Sequence, residues 1–305
     1  MNFYFRLQFR LLNRQIKDFG LQPLWGWFLG IAGFVLVSWL LFSKTGAAIY
    51  LYLFTALSWL LQLSNRKRTN FLHITFPQGS LRRIRLAENA IVAAPFVLFL
   101  LCRQYFIAGL LLLPAALLLS FINHVPGIST TIPTPFGKRP FEFLTGFRQS
   151  LLLVIAAYLL TGIGIFVHNF NLCLFARGAT ILLICSFYTK PEPLFYVWNF
   201  AFSPAGFLKE KIKTAVWHTT ILTLLPLVAL LAAYPDQWWM TGGIQLLGYA
   251  YIIQIILVKY SAYPGEIQLV QLLIFSASIF FPPLLFGLIP FFYSRSVNRL
   301  ATYLS

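Results

Sequence analysis

The chain has 305 residues, of which 59% are apolar and only 10% charged, and its 23 lysines and arginines face seven aspartates and glutamates to give a formal net charge of +16. So few charges cannot cover a water-facing surface, whereas helices that face lipid need almost none, so the composition excludes an ordinary soluble domain and indicates a polytopic membrane protein. Nucleic-acid binding is set aside because the bases fall in short segments between apolar runs.

Residues 1–23 come first. On a helical wheel Phe5, Phe9, Leu12, Ile16 and Phe19 fall within about 80° of one another, and Arg6, Arg10, Arg14 and Lys17 share an arc roughly opposite. This predicts an interfacial helix with its phenyl rings in the acyl boundary and its bases at anionic headgroups. The interspersed bases and the lack of a small-residue cleavage site argue against a signal peptide.

At about 20 residues per span, apolar runs occupy Leu24 to Phe42, Gly46 to Leu63, Ala90 to Leu101, Tyr105 to Ile122, Leu151 to Val167, Leu172 to Tyr188, Thr214 to Tyr234, Thr241 to Val258 and Ile267 to Phe292. The run from Ala90 is short unless it begins near Leu86. The last is broken at Phe281-Pro282-Pro283, which predicts one kinked helix or two half-length helices turning back. With the N-terminus cytoplasmic, the inside segments collect Arg6, Arg10, Arg14, Lys17, Arg66, Lys67, Arg68, Arg82, Arg83, Arg85, Lys138, Arg139, Arg148, Lys190, Lys209, Lys211 and Lys213. The outside turns keep Lys44, Arg103 and Arg177, a positive-inside distribution. Lys259, Arg295 and Arg299 also fall inside, which favours ten crossings or a re-entrant break over nine clean spans.

Two basic segments stand out, residues 65–89 and 190–213. Each holds Pro-x-Gly-x-Leu and then a base: Pro77, Gly79, Leu81 and Arg82 (then Arg83) in the first, and Pro204, Gly206, Phe207, Leu208 and Lys209 in the second. Proline and glycine end one element and turn the chain, and the residues after them read as a short helix running into the next span. The copies are 127 residues apart in numbering, with an even number of crossings between them, so they face the same side. RPFEFLTGFRQ, from Arg139 to Gln149, sets aromatics and bases ahead of a span much as the N-terminal helix does. The order predicts a duplicated unit: residues 1–23 as interfacial helix, 24–122 as a first membrane half with its turn at 65–89, 123–149 as linker and second interfacial segment, and 150–305 as a second half with its turn at 190–213. The predicted fold is therefore all-α, a polytopic integral membrane bundle of nine to ten transmembrane helices with an internal repeat.

These features resemble the permease subunits of ATP-binding cassette (ABC) exporters, the bacterial type with duplicated halves. The resemblance rests on the interfacial helix, the Phe76-to-Arg83 and Ser203-to-Lys209 turns, and the basic tail from Tyr293 to Arg299. It implies that the turns are coupling helices, that Pro77, Gly79, Leu81, Arg82, Arg83, Pro204, Gly206, Phe207, Leu208 and Lys209 contact a cytoplasmic ABC ATPase present in two copies, and that the chain lies in the bacterial inner membrane. Leu81, Ile84, Phe207 and Leu208 are then apolar knobs for the partner's groove, with bases setting register. The chain has no GxxxxGK[ST], so ATP and magnesium belong to the partner and no cofactor, metal or catalytic residue is expected here.

Two other classes compete. A membrane-embedded lipid- or polymer-processing enzyme needs clustered acids or histidines, yet Asp18, Glu88, Glu142, Glu192, Glu210, Asp236 and Glu266 are scattered and His73, His124, His168 and His218 fall in different segments. An ion-coupled carrier needs ionisable groups at mid-membrane, where the sequence offers Arg103 and Arg177 near outer ends, Glu88 near an inner end and His218 a turn inside a span. Cys102, Cys173 and Cys185 lack CxxC or CxxH spacing. The eight tryptophans read as interface anchors, and the pairs Gly30 with Gly33 and Gly162 with Gly164 as sites of close helix approach. The aromatic-rich interior suits a hydrophobic or amphipathic substrate.

Overall fold

A computed structural model describes residues 2–44, 48–64, 66–121, 134–136, 141–198 and 202–304, with helices, turns and no strand among them. The turn-rich linker from Asn123 to Phe136, apart from its last three residues, and His124, Lys138 and Arg139 lie outside the described residues. The chain divides into two compact units, Met1–Lys17 with Leu21–Thr131, and Asp18–Gly20 with Ile132–Ser305.

The first unit contains α1 (Asn2–Asp18), α2 (Pro23–Lys44), α3 (Ala48–Gln62), α4 (Arg66–Thr75), α5 (Gln78–Cys102) and α6 (Phe106–Leu119). Its core is set by helical spacing: Tyr52, Ala56 and Leu60 of α3 meet Ala93, Phe96 and Leu100 of α5 and Leu112 and Ala116 of α6. The fully buried alanines, Ala56, Ala93 and Ala116, allow the backbones to approach closely. Gly30 and Gly33 of α2 do not act this way, since nothing lies near either. α2 buries only Ser38, as expected of a helix whose surroundings are lipid rather than protein. The predicted short run from Ala90 is resolved by α5, one 25-residue helix that continues from the basic turn into the apolar segment.

The second unit contains α7 (Phe141–Gln149), α8 (Leu151–Phe166), α9 (Phe170–Phe187), α10 (Leu194–Trp198), α11 (Pro204–Ala233), α12 (Trp238–Ala262), α13 (Leu269–Phe280) and α14 (Leu285–Ala301). α7 turns by 70° into α8, and at the corner the Ser150 hydroxyl donates to the Gly146 carbonyl at 2.6 Å. Phe143 and Phe147 of α7 point into the core, so this segment is no free interfacial surface of the kind α1 presents. Of the glycine pair in α8, Gly162 has open surroundings, while a Cβ on Gly164 would lie 2.6 Å from the Cys173 sulfur of α9. α12 is the most buried helix and α14 packs along it, with Ser296 Oγ donating to the Leu257 carbonyl at 2.7 Å.

Prolines in apolar helices free a carbonyl one turn earlier, and lipid offers it no replacement donor. Pro226 frees Leu222 O, which accepts from Tyr158 Oη of α8. Pro282 frees Ser278 O, which accepts from Tyr251 Oη of α12 at 2.9 Å. The second case settles the last apolar run: α13 stops, a 3-10 turn covers Pro282–Leu284, and α14 starts afresh.

Among the described residues each predicted apolar run is largely helical, the last with a break at Pro282, but nine or ten full crossings are not met. Five helices, α2, α5, α9, α11 and α12, are long and apolar enough to cross a membrane, or six if α7 and α8 form one bent span. α3, α6 and α13 are apolar but have 15, 14 and 12 residues, short of a hydrocarbon core about 30 Å thick at 1.5 Å per residue.

Candidate functional site

The first basic turn is held by its own unit. Pro77, exposed, precedes α5 in an extended conformation (φ −61°, ψ 149°), and exposed Gly79 has nothing around it. Leu81 and Ile84 are buried with Tyr4 of α1 and Leu72 of α4, leaving Arg82 and Arg83 exposed. One to two turns further along α5, Glu88 accepts from Tyr4 Oη and pairs with Arg68 of α4. Arg68 also donates to Tyr4 Oη at 3.1 Å and to the Leu63 carbonyl at 2.8 Å, and Arg85 donates to Ser64 Oγ at 3.0 Å. A tyrosine, an arginine and a carboxylate thus tie the interfacial helix, the connector and the long helix together. Burial, reinforced by Glu88, raises the Tyr4 phenol above its ordinary value, so it acts as a neutral donor.

The second turn repeats the logic with different chemistry. Ser203 caps α11, its Oγ accepting from Gly206 N at 3.2 Å, and Pro204 fills the first helical position, where no donor is needed. A Cβ at Gly206 would come within 3.1 Å of that oxygen, so glycine is tied to the cap. Phe207 and Leu208 are buried, and Lys209 is exposed. Beneath them lies a closed ion network. Lys211 of α11 bonds Glu142 Oε2 of α7 at 3.1 Å and pairs with Glu192, which precedes α10. Lys259 of α12 pairs with Glu142, and Tyr260 Oη donates to Glu192 Oε2 at 2.8 Å. All five residues are buried. Two acids and two bases cancel, which is what permits burial of four charges.

Burial pushes the Glu192 carboxyl up, but the Lys259 and Lys211 ammoniums with the bonds from Lys211 and Tyr260 outweigh it and hold it below the ordinary value. A depressed carboxylate contributes stability above its unfolded pKa of about 4.3 and loses it as pH falls through the folded value. Thermal unfolding of the purified chain is therefore expected to be insensitive to Glu192 between pH 6 and 8, by the same about 4.3 reference. On acidification below that reference, wild type should lose stability more steeply than Glu192→Gln; parallel curves would contradict the assignment.

The predicted contact residues are thus divided by the fold. Leu81, Ile84, Phe207 and Leu208 are core residues of their own units and not knobs open to a partner, because each is the inward face of a helix whose outward face carries the bases. Exposed apolar groups sit instead on the preceding connectors, Phe71 and Ile74 on α4 and Phe195 and Trp198 on α10.

Arg177 also differs from its predicted place near the outer end of a span. It lies midway along α9 and is 3% exposed. One nitrogen, Nη2, donates to Gln245 Oε1 of α12, whose Nε2 donates to Thr223 Oγ1 of α11 at 3.1 Å. Nε and Nη1 have no partner, nor has the hydroxyl of fully buried Thr219 one turn from Thr223. No acid pairs with Arg177 among the described residues. His218, buried beside Phe136 and Phe143 at 5.5 and 5.2 Å between ring centroids, has an unpartnered Nδ1. Among the described residues no three histidines, cysteines or acids converge as metal ligands would.

Sequence reasoning named neither ion cluster. Lys259 and Glu142 are 117 positions apart and Lys211 and Glu142 69 apart, so no local spacing announces them. The available signal was scarcity: in a chain with seven acids, one close to an apolar run needs a cation. Comparison with protein-family models, with curated proteins and with solved structures finds no match.

Proposed function

We propose that the chain is the permease subunit of an ABC-type exporter in a bacterial inner membrane, moving a hydrophobic or amphipathic substrate with ATP and magnesium held by two copies of a separate cytoplasmic ATPase. The observation that carries this reading is the construction of the two turns. Arg82 and Arg83 stand exposed on the first turns of α5, and Lys209 and Lys213 on those of α11, while their apolar neighbours are locked into the core. A load on those bases is transmitted to a helix of 25 or 30 residues without a flexible joint. The ion clusters support the same role, because each fastens the connector and an amphipathic or short helix to that lever. The partner's surface is expected to be acidic around an apolar groove, which Phe71 and Ile74, or Phe195 and Trp198, would fill. The common element order, α1 to α6 and α7 to α12, is consistent with duplicated halves.

Sidedness is the first test. α5 carries Ser80 at one end and exposed Cys102 at the other, separated by about 33 Å at 1.5 Å per residue. In intact cells an impermeant maleimide is expected to label Cys102 and to leave Ser80→Cys, made in a Cys102→Ser background, unlabelled until the membrane is opened. Tagged chain from native membranes should then bring down a polypeptide carrying GxxxxGK[ST]. Labelling of Ser80→Cys from outside, or purification with no such polypeptide, removes the proposal.

A further inference from the structure

We infer that the first unit holds a phospholipid-binding groove between α3 and α6, which takes one acyl chain, while Arg103 at the adjoining α5–α6 corner receives the phosphate of the same lipid. This goes beyond the exporter reading and rests only on the chain being embedded in a membrane, since a seated lipid says nothing about what drives transport.

The groove follows from helical spacing. Ile49, Leu53 and Leu57 recur every four residues along one face of α3, and Ala108, Leu111 and Ala115 recur at three- and four-residue steps along one face of α6. All six line one open groove of about 600 Å³. Alanine at 108 and 115 leaves the hollow, where a larger side chain would close it. From Tyr105 to Ala115 the groove runs about 15 Å at 1.5 Å per residue, which suits an acyl chain lying along the helices. Its polarity is one-sided, because Gln104 and Tyr105 rim one end and every other lining residue is apolar.

That end has the make-up of a headgroup level. Gln104 takes φ 65°, which folds the chain back from α5 into α6. Tyr105 stands 5.5 Å from Phe42 between ring centroids, and half-buried Arg103, one residue before the rim, lays its guanidinium 5.8 Å from the centroid of the Phe99 ring. Aromatic rings beside a cation are favoured where a membrane meets water. No acid pairs with Arg103 among the described residues, and a guanidinium without an acid suits a phosphate. The walls of the groove are also short. At 15 and 14 residues α3 and α6 reach about 22 and 21 Å against a hydrocarbon core of about 30 Å, so the leaflet thins beside them. A lipid drawn into the groove brings its headgroup down to the corner and meets that deficit. The apolar helix of a second copy would fill the groove but leave the cation unanswered, so the pairing selects a phospholipid.

The test uses the full chain, stripped of lipid in detergent and titrated with dioleoyl phosphatidylglycerol, with bound lipid counted by native mass spectrometry. One lipid per chain is expected to bind above the nonspecific background. Ala108→Phe fills the hollow and should weaken binding by roughly tenfold or more, whereas Leu110→Phe, exposed and outside the groove, should bind like wild type. Arg103→Gln should weaken binding by roughly tenfold, the size of one lost charge-assisted contact. Dioleoylglycerol, which lacks the phosphate, should bind wild type and Arg103→Gln alike; if it binds wild type as tightly as the phospholipid does, the headgroup half of the inference is overturned. If Ala108→Phe is not monodisperse, Leu111→Trp carries the test with the same expected loss. No bound lipid in wild type, or equal binding in the groove-filling variant, overturns the site. A dimer that the groove-filling variant dissolves, with no lipid bound, assigns the groove to a second copy instead. Co-purification of the ATPase is read separately and uses none of these residues.

Discussion

Lys259→Met is expected to destabilise the second unit by about 3–5 kcal/mol, the usual cost of leaving one partner of a buried ion pair behind. The methionine matches the lysine stem in volume, so the loss isolates charge from packing. Glu142 would keep only Lys211, and Glu192 shares that same ammonium, leaving two carboxylates and one cation in a closed site. Thermal unfolding in detergent reads the effect. Lys259→Met combined with Glu142→Gln returns the network to neutrality and should recover part of the loss, because a buried pair replaced by neutral groups is often close to even. A single-variant loss below about 1 kcal/mol, the value of an exposed pair, would mean that water reaches the network.

On the proposed function, reversing the elbow bases, with Arg82→Glu, Arg83→Glu and Lys209→Glu together, is expected to weaken the complex with a cytoplasmic ATPase by about a hundredfold while leaving the chain folded. Like charges brought together at an interface cost several kcal/mol, and about 2.7 kcal/mol is a factor of a hundred. All three side chains are exposed, so no buried contact is removed. Leu208→Asp makes the complementary case. Leu208 is fully buried, and an aspartate there should lower stability rather than selectively release a partner. Co-purification with size-exclusion chromatography separates the two results. Undiminished partner in the triple variant would remove the elbows from the interface.

The helical class and the basic turns were legible because they rest on local signals. Pro-Gly spacing, apolar run length and the wheel of Phe5, Phe9, Leu12 and Ile16 are each contained in a short window. The double proline at Pro282-Pro283 was equally readable as a stop. Span length was less so: α3, α6 and α13 lie in runs read as full crossings, yet hold only 15, 14 and 12 helical residues. The direction in which Leu81 and Leu208 face was misread for a related reason: a helix with bases on one side and leucines on the other satisfies either an external groove or an internal core, and only Tyr4, Leu72 and Tyr260 decide between them. Arg177 read as a residue near the outer end of its run, counted with the outside bases. Its single bonded partner, Gln245, lies 68 positions away.

The tyrosines that answer Pro226 and Pro282 carry one more implication. At Leu222 and Ser278 the missing amide is replaced by a hydroxyl from a neighbouring helix, so each spare carbonyl stays satisfied only while two helices remain in register. Tyr158 with Pro226, and Tyr251 with Pro282, are in effect single characters written at two places. Restoring an amide at 226, inside continuous α11, makes Tyr158 redundant, and removing either tyrosine alone strands an oxygen in oil. Drift at these sites must therefore proceed in tandem.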